Sequence, residues 1–165
     1  MIASKREVRD YAERPVPEDV RTRILDAGRL AGSASNRQPW HFLVIEDRGL
    51  RERVAEGVFE PSNIRGAGLV VAIAVSGKGP VSFDAGRAAE NMMLAAWDEG
   101  VGSCPNGMVD RERTAELLGL EEGEQPAIIL SFGYPANPRN PEERSPEEWS
   151  RRARRKPLAE LVRKL

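Results

Sequence analysis

Apolar positions along the chain follow two patterns. In "PVPEDVRTRILDAGRLA", Val20, Ile24, Ala27 and Ala31 recur every three or four residues, which predicts an amphipathic helix. Pro17 suits its first turn, and Glu18 and Asp19 sit where unpaired backbone amides leave partial positive charge. "DAGRAAENMMLAAWDEG" predicts a second helix with Ala85, Ala88, Ala89, Met92 and Ala96 on one face, Asp84 as its cap and Gly100 near its end. Its small side chains permit close packing. "DRERTAELLGL" repeats the pattern more weakly, with Asp110 as cap and Gly119 at the close.

The second pattern is short and nearly continuous. "HFLVIE", "LVVAIAV" and "AIILSFG" are rich in β-branched residues and lack polar alternation, which predicts central strands covered on both faces. From "GYPANPRNPEERSPEE" onward the prolines predict an extended or irregular course, and "KPLAELVRKL" a last short helix from Pro157. The order of elements predicts an α+β or mixed α/β arrangement. We expect one domain over residues 1–165, with 136–165 as an extended tail packing on that domain or on a partner subunit.

Composition removes several function classes. A net charge of −1 favours neither nucleic acid nor a membrane surface, so any anion site must be local. Cys104 is the only cysteine, which excludes an internal disulfide and multi-cysteine metal sites and predicts a reducing, cytoplasmic setting. The run "LVVAIAV" is too short to span a bilayer. Neither G-x-G-x-x-G nor a P-loop is present.

Candidate chemistry is sparse. His41 enters a predicted strand beside Trp40, where a locally hydrogen-bonded imidazole is the simpler reading, and Cys104 in "GSCPNG" has no basic neighbour in sequence, so both are read as structural. Two basic clusters remain. "SKREVR" places Lys5 and Arg9 four residues apart with Arg6 between, and "RRARRK" includes Arg155. Each alone reads as a solvated face, although together they could meet one phosphate. The second cluster lacks interleaved aromatic residues and follows the acidic "PEERSPEE", which argues against nucleic-acid binding.

Five segments in order resemble the FMN-dependent nitroreductase family: "KREVRDYAERPVP", "AGSASNRQPW" running into a strand, "DAGRAAENMMLAAWDEGVGSCPNG", "GEQPAIILSFGYP" and "RRKPLAEL". The resemblance implies an α+β fold with a central, mostly antiparallel sheet flanked by helices. It also implies an intertwined homodimer with FMN at the subunit interface, NAD(P)H as reductant, and a small-molecule acceptor such as a nitroaromatic or quinone. A catalytically weak flavin- or ligand-binding module of the same fold is the alternative. By motif position, Lys5, Arg6 and Arg155 are implied on the phosphate side and Arg9 near the ribityl chain and the N1/C2 edge. Gly32, Ser33, Ser35 and Asn36 are implied in an interface turn touching the flavin, and Pro105, Asn106 and Gly107 in the loop whose amides approach N5. No side chain is implied as the main acid or base, and no metal. The sequence departs from the family pattern at Glu7, where serine is usual, at Gly32, where proline is common, and in the short "SGKGPVSF" connection.

Overall fold

The computed structural model describes residues 1–138 and 140–165. They form two compact units, one of residues 6–138 and one of residues 1–5 with the segment after 139.

In the larger unit the elements run α1 (Glu18–Arg29), β1 (Trp40–Val44), α2 (Arg48–Glu56), α3 (Ser62–Arg65), β2 (Leu69–Ser76), α4 (Val81–Asp98), β3 (Gly102–Asn106), α5 (Arg111–Leu118) and β4 (Glu124–Gly133). The four strands among the described residues form one sheet in the order β1-β2-β4-β3, every pair antiparallel. Such a sheet with helices on both faces is an α+β arrangement.

Strand β2 explains the layering. Leu69, Val71, Ile73 and Val75 point into a core with Ile24 of α1, Ala85, Ala88 and Met92 of α4, and Leu130 and Phe132 of β4. The alternate residues Val70 and Ala72 point into a second core with Val54 and Ala55 of α2, Ile64 of α3 and Ile129 of β4. Because successive strand side chains alternate faces, a strand covered twice has to be apolar throughout, and residues 69–75 are all buried. On the α1 and α4 side the approach is tight: a Cβ at Gly28 would come within 2.3 Å of Met92 Cε. Asn91 adds a helix-to-helix bond, donating to the Ala27 carbonyl at 3.2 Å.

Three expectations change. "HFLVIE" lies at the sheet edge, pairing only with β2, and Val44 is exposed, so it is not a central strand. Helix α4 starts at Val81 after Pro80, and Asp84 does not cap it. "GSCPN", expected as a loop, is the strand β3. By contrast, Asp110 caps α5 by accepting from the Arg113 amide, and Gly119 closes it at φ +64°.

In the smaller unit, α6 (Pro146–Arg152) opens on a reciprocal cap between Ser145 and Glu148. Trp149 is buried there and donates to the Pro141 carbonyl at 2.9 Å, with the Arg144 guanidinium over its ring. Helix α7 (Leu158–Leu161) follows Pro157 as expected and leaves Leu158 and Leu161 exposed. No helix among the described residues is long and apolar enough to cross a membrane.

Candidate functional site

Two features of the larger unit stand out from its regular framework. The first is the turn between α1 and β1. Ser35, Asn36 and Gln38 adopt φ of 52°, 53° and 51°, a left-handed conformation that side chains disfavour. Local bonds shape it: the Asn36 amide donates to the Ser33 carbonyl at 3.0 Å, and the Gln38 amide to Ser33 Oγ at 2.8 Å. A further bond comes from α4, where Asp84 Oδ2 accepts the Ala34 amide at 3.0 Å. Gly32 lies under Arg87, whose Nη2 would be 2.3 Å from a Cβ at that position. Where proline is common in the family, contacts from α4 thus cover the glycine.

The second feature is a cavity of about 420 Å³ at the outer end of β3, lined by Arg9, Phe59, Glu60, Ser62, Asn63, Cys104, Pro105, Asn106 and Gly107. Distant segments converge there through backbone pairing. The Val8 amide donates to the Ser103 carbonyl at 2.9 Å and delivers Arg9 to the strand edge. The Phe59 amide donates to the Gly107 carbonyl at 3.1 Å, and that pairing carries Glu60 and Asn63 to the same place. Gly107 leaves room for Phe59, since a Cβ there would lie 3.1 Å from the ring.

Behind the cavity is a buried polar network. Asn106 Nδ2 donates to the carbonyls of Cys104 (2.9 Å) and Ile129 (3.3 Å) and to Ser131 Oγ (3.1 Å). Carbonyls only accept, so the Asn106 amide can point only one way and its Oδ1 is left as an acceptor. Asn63 Nδ2 donates to that oxygen at 3.0 Å. The same logic fixes Asn63, whose buried Oδ1 has no hydrogen-bond partner. On the other side, the Tyr11 hydroxyl lies 3.0 Å from Ser131 Oγ, and burial raises its pKa well above the ordinary phenol value. The Arg9 guanidinium is held above its usual pKa, chiefly by its hydrogen bond with Cys104.

The structure thus brings Arg9, Pro105, Asn106 and Gly107 to one cavity. Gly32, Ser33, Ser35 and Asn36 share the strained turn and do not line that cavity. Arg6 belongs to the larger unit and is partly buried, while Lys5 and Arg155 belong to the smaller one. Sequence reasoning missed Phe59, Glu60, Ser62 and Asn63, and it also missed the meeting of Cys104 with Arg9. His41 Nδ1 lies 2.6 Å from Glu124 Oε1, a partner 83 positions away on β4. No group of three or more metal-ligating side chains occurs among the described residues.

The family model described as the nitroreductase family matches residues 2–76 and 66–134. A relative from Archaeoglobus fulgidus, provisionally named NADH dehydrogenase/NAD(P)H nitroreductase, is 31% identical over 90% of this chain and 97% of its own. A nitroreductase family protein from Clostridium difficile superposes with a TM-score of 0.80 at 23% identity, covering 98% of this chain and 94% of that one. The NADPH:FMN oxidoreductase of Vibrio harveyi, solved with NAD+, gives 0.77 at 22% identity over 83% and 68%. The antiparallel α+β fold is what this chain shares with these structures. The chain belongs to the nitroreductase family.

Proposed function

We propose that this protein is an NAD(P)H-dependent FMN oxidoreductase that reduces a small acceptor such as a nitroaromatic or a quinone. Family membership, the name of the Archaeoglobus relative and that of the Vibrio neighbour support the reading. The observation that carries it is the cavity at β3, where the Arg9 cation and the edge of residues 105–107 meet beside the exposed ring of Phe59.

The residues present fit a flavin. Arg9 and Glu60 give the cavity both a cationic donor and an anionic acceptor, which suits the mixed polar edge of a heteroaromatic ring better than a phosphate. When bound, FMN would supply the redox chemistry, accepting a hydride from NAD(P)H and passing electrons to the acceptor.

The chain's own part is binding and orientation. Arg9 would place positive charge where the ring gains electrons, and Pro105, Asn106 and Gly107 would present the strand edge to it. Lys5, Arg6 and Arg155 are proposed for the phosphate on the ground of their charge. Gly32, Ser33, Ser35 and Asn36 are proposed to reach the flavin of a second copy in a homodimer. We assign the tail of residues 136–165 to packing on the domain or partner copy, and the single cysteine fits a reducing cytoplasm.

The test is the visible spectrum of the purified chain, followed by anaerobic titration with NADH and NADPH. A flavin spectrum bleached by either nucleotide is expected. Protein that stays colourless after incubation with excess FMN would refute the proposal, and bound FMN that neither nucleotide reduces would leave only a flavin-binding module. Arg9→Ala should weaken FMN retention or lower the flavin's reduction potential. If neither changes, Arg9 has no such role.

A further inference from the structure

A buried carboxylate needs a reason. Asp84 is 2% exposed, and burying a charge without compensation is among the most costly arrangements a fold can hold. Helix capping does not supply the reason, because α4 begins three residues earlier and the Asp84 amide already donates to the Pro80 carbonyl. The nearby helix N-terminus favours negative charge but does not require it to be buried. What the carboxylate does hold lies fifty positions away in sequence: Oδ2 accepts the Ala34 amide at 3.0 Å, while Oδ1 faces Arg87 Nη1 at 3.9 Å.

The element so held has its own cost. Side-chain-bearing residues in the left-handed region cost about 1–3 kcal/mol each and persist only where the surroundings over-determine them. Ser35, Asn36 and Gln38 are three such residues within four positions. The bonds from Ser33 to Asn36 and Gln38 close the turn on itself, and Arg37 Nη1 reaches the Lys78 carbonyl at 3.3 Å from an exposed position. Asp84 is different in kind. It ties the turn to the face of α4 that carries Ala85 and Ala88 into the core. Arg87 completes the clasp from above, with its guanidinium filling the space that any side chain at position 32 would need.

We propose that Asp84 is the positioning residue of the 32–38 turn: braced by Arg87, it holds the Ala34 amide and so keeps Ser35 and Asn36 in the shape that meets the flavin. The proposal rests on the FMN reading above for its last step, but the clasp itself is a property of this chain. Asp84 does not touch the reacting atoms. It acts through the turn, as a preformed support that spares the ligand the cost of ordering it.

The experiment uses the full chain, flavin-free and titrated with FMN. It reads Ala34 amide hydrogen exchange by NMR and the FMN dissociation constant by flavin fluorescence. Asp84→Ala should speed exchange at Ala34 by about tenfold or more and weaken FMN binding by about tenfold, as expected for loss of a bond to a charged group. Asp84→Asn retains an acceptor oxygen and should keep most of the protection, whereas the apolar Asp84→Leu, which fills the space without an acceptor, should not, a difference that a purely packing role would not predict. Arg87→Ala should fall between them and takes the place of Asp84→Ala if that variant does not fold. Unchanged Ala34 exchange in the variant used would overturn the clasp. Faster exchange with unchanged FMN affinity would overturn the positioning role if Asn36→Ala does weaken FMN. If Asn36→Ala also leaves FMN binding intact, the contact between this turn and the flavin is what fails.

Discussion

The β3 cavity and the 32–38 turn are organised by opposite means. Behind the cavity the backbone is ordinary strand, and order comes from side chains: Tyr11, Ser131, Asn106 and Asn63 form a chain of hydrogen bonds in which each amide has one allowed orientation. In the turn the side chains bond sparingly, and order is imposed on a disfavoured backbone by Ser33 and Asp84. A network of satisfied polar groups fails when one member is removed, because its partners are stranded without water. A strained backbone is the reverse, since relieving the strain can stabilise the fold while spoiling its shape.

The largest expected effect is therefore at Asn106. Asn106→Leu strands Asn63 and withdraws a donor from the Cys104 and Ile129 carbonyls, so it should cost about 3 kcal/mol, read as a lower urea midpoint. Tyr11→Phe should cost about 1 kcal/mol at neutral pH. Its sharper signature lies at alkaline pH. With the folded pKa raised by burial above the unfolded value near 10, stability is fully present below about pH 10 and is lost as pH rises toward the folded pKa. Removing the hydroxyl should flatten that alkaline decline in stability, and an unaltered pH profile would contradict the assignment. The smallest effect should have the opposite sign. Ser35→Gly relieves about 1–2 kcal/mol of left-handed strain and costs about 0.5–1 kcal/mol in chain entropy, a net gain of about 0.5 kcal/mol in thermal or urea unfolding. If that variant is destabilised, the turn is not strained as described, and the contrast between the two regions falls.

The same contrast explains what could be read from the chain. Helix α1, strands β2 and β4 and helix α5 follow local rules of period, capping and apolar continuity, and they lie where those rules put them. Strand β3 could not be found this way: Gly102, Ser103, Pro105 and Asn106 all favour turns, and only pairing with β4 makes them a strand. Helix α2 did leave a signal, since Asp47 caps it by accepting from the Leu50 amide ahead of Val54 and Ala55. The motif resemblance picked out Arg9 and residues 105–107 of the cavity. Asn63 and Glu60 reach it through the pairing of residues 57–59 with 107–109, a contact across some fifty positions that no local pattern encodes. Asp84 was misread for a related reason, because a carboxylate near a helix start looks like a cap until its partner in another element is known.

The outer margin of the sheet has a consequence for self-association. Pro105 carries no amide hydrogen, and residues 7 and 8 already pair alongside Ser103, so β3 offers no continuous ladder for a foreign strand to join. Any association of two copies at that margin would have to rest on side-chain surfaces and not on lengthening the sheet, and the same gaps protect the margin against fibril-like stacking.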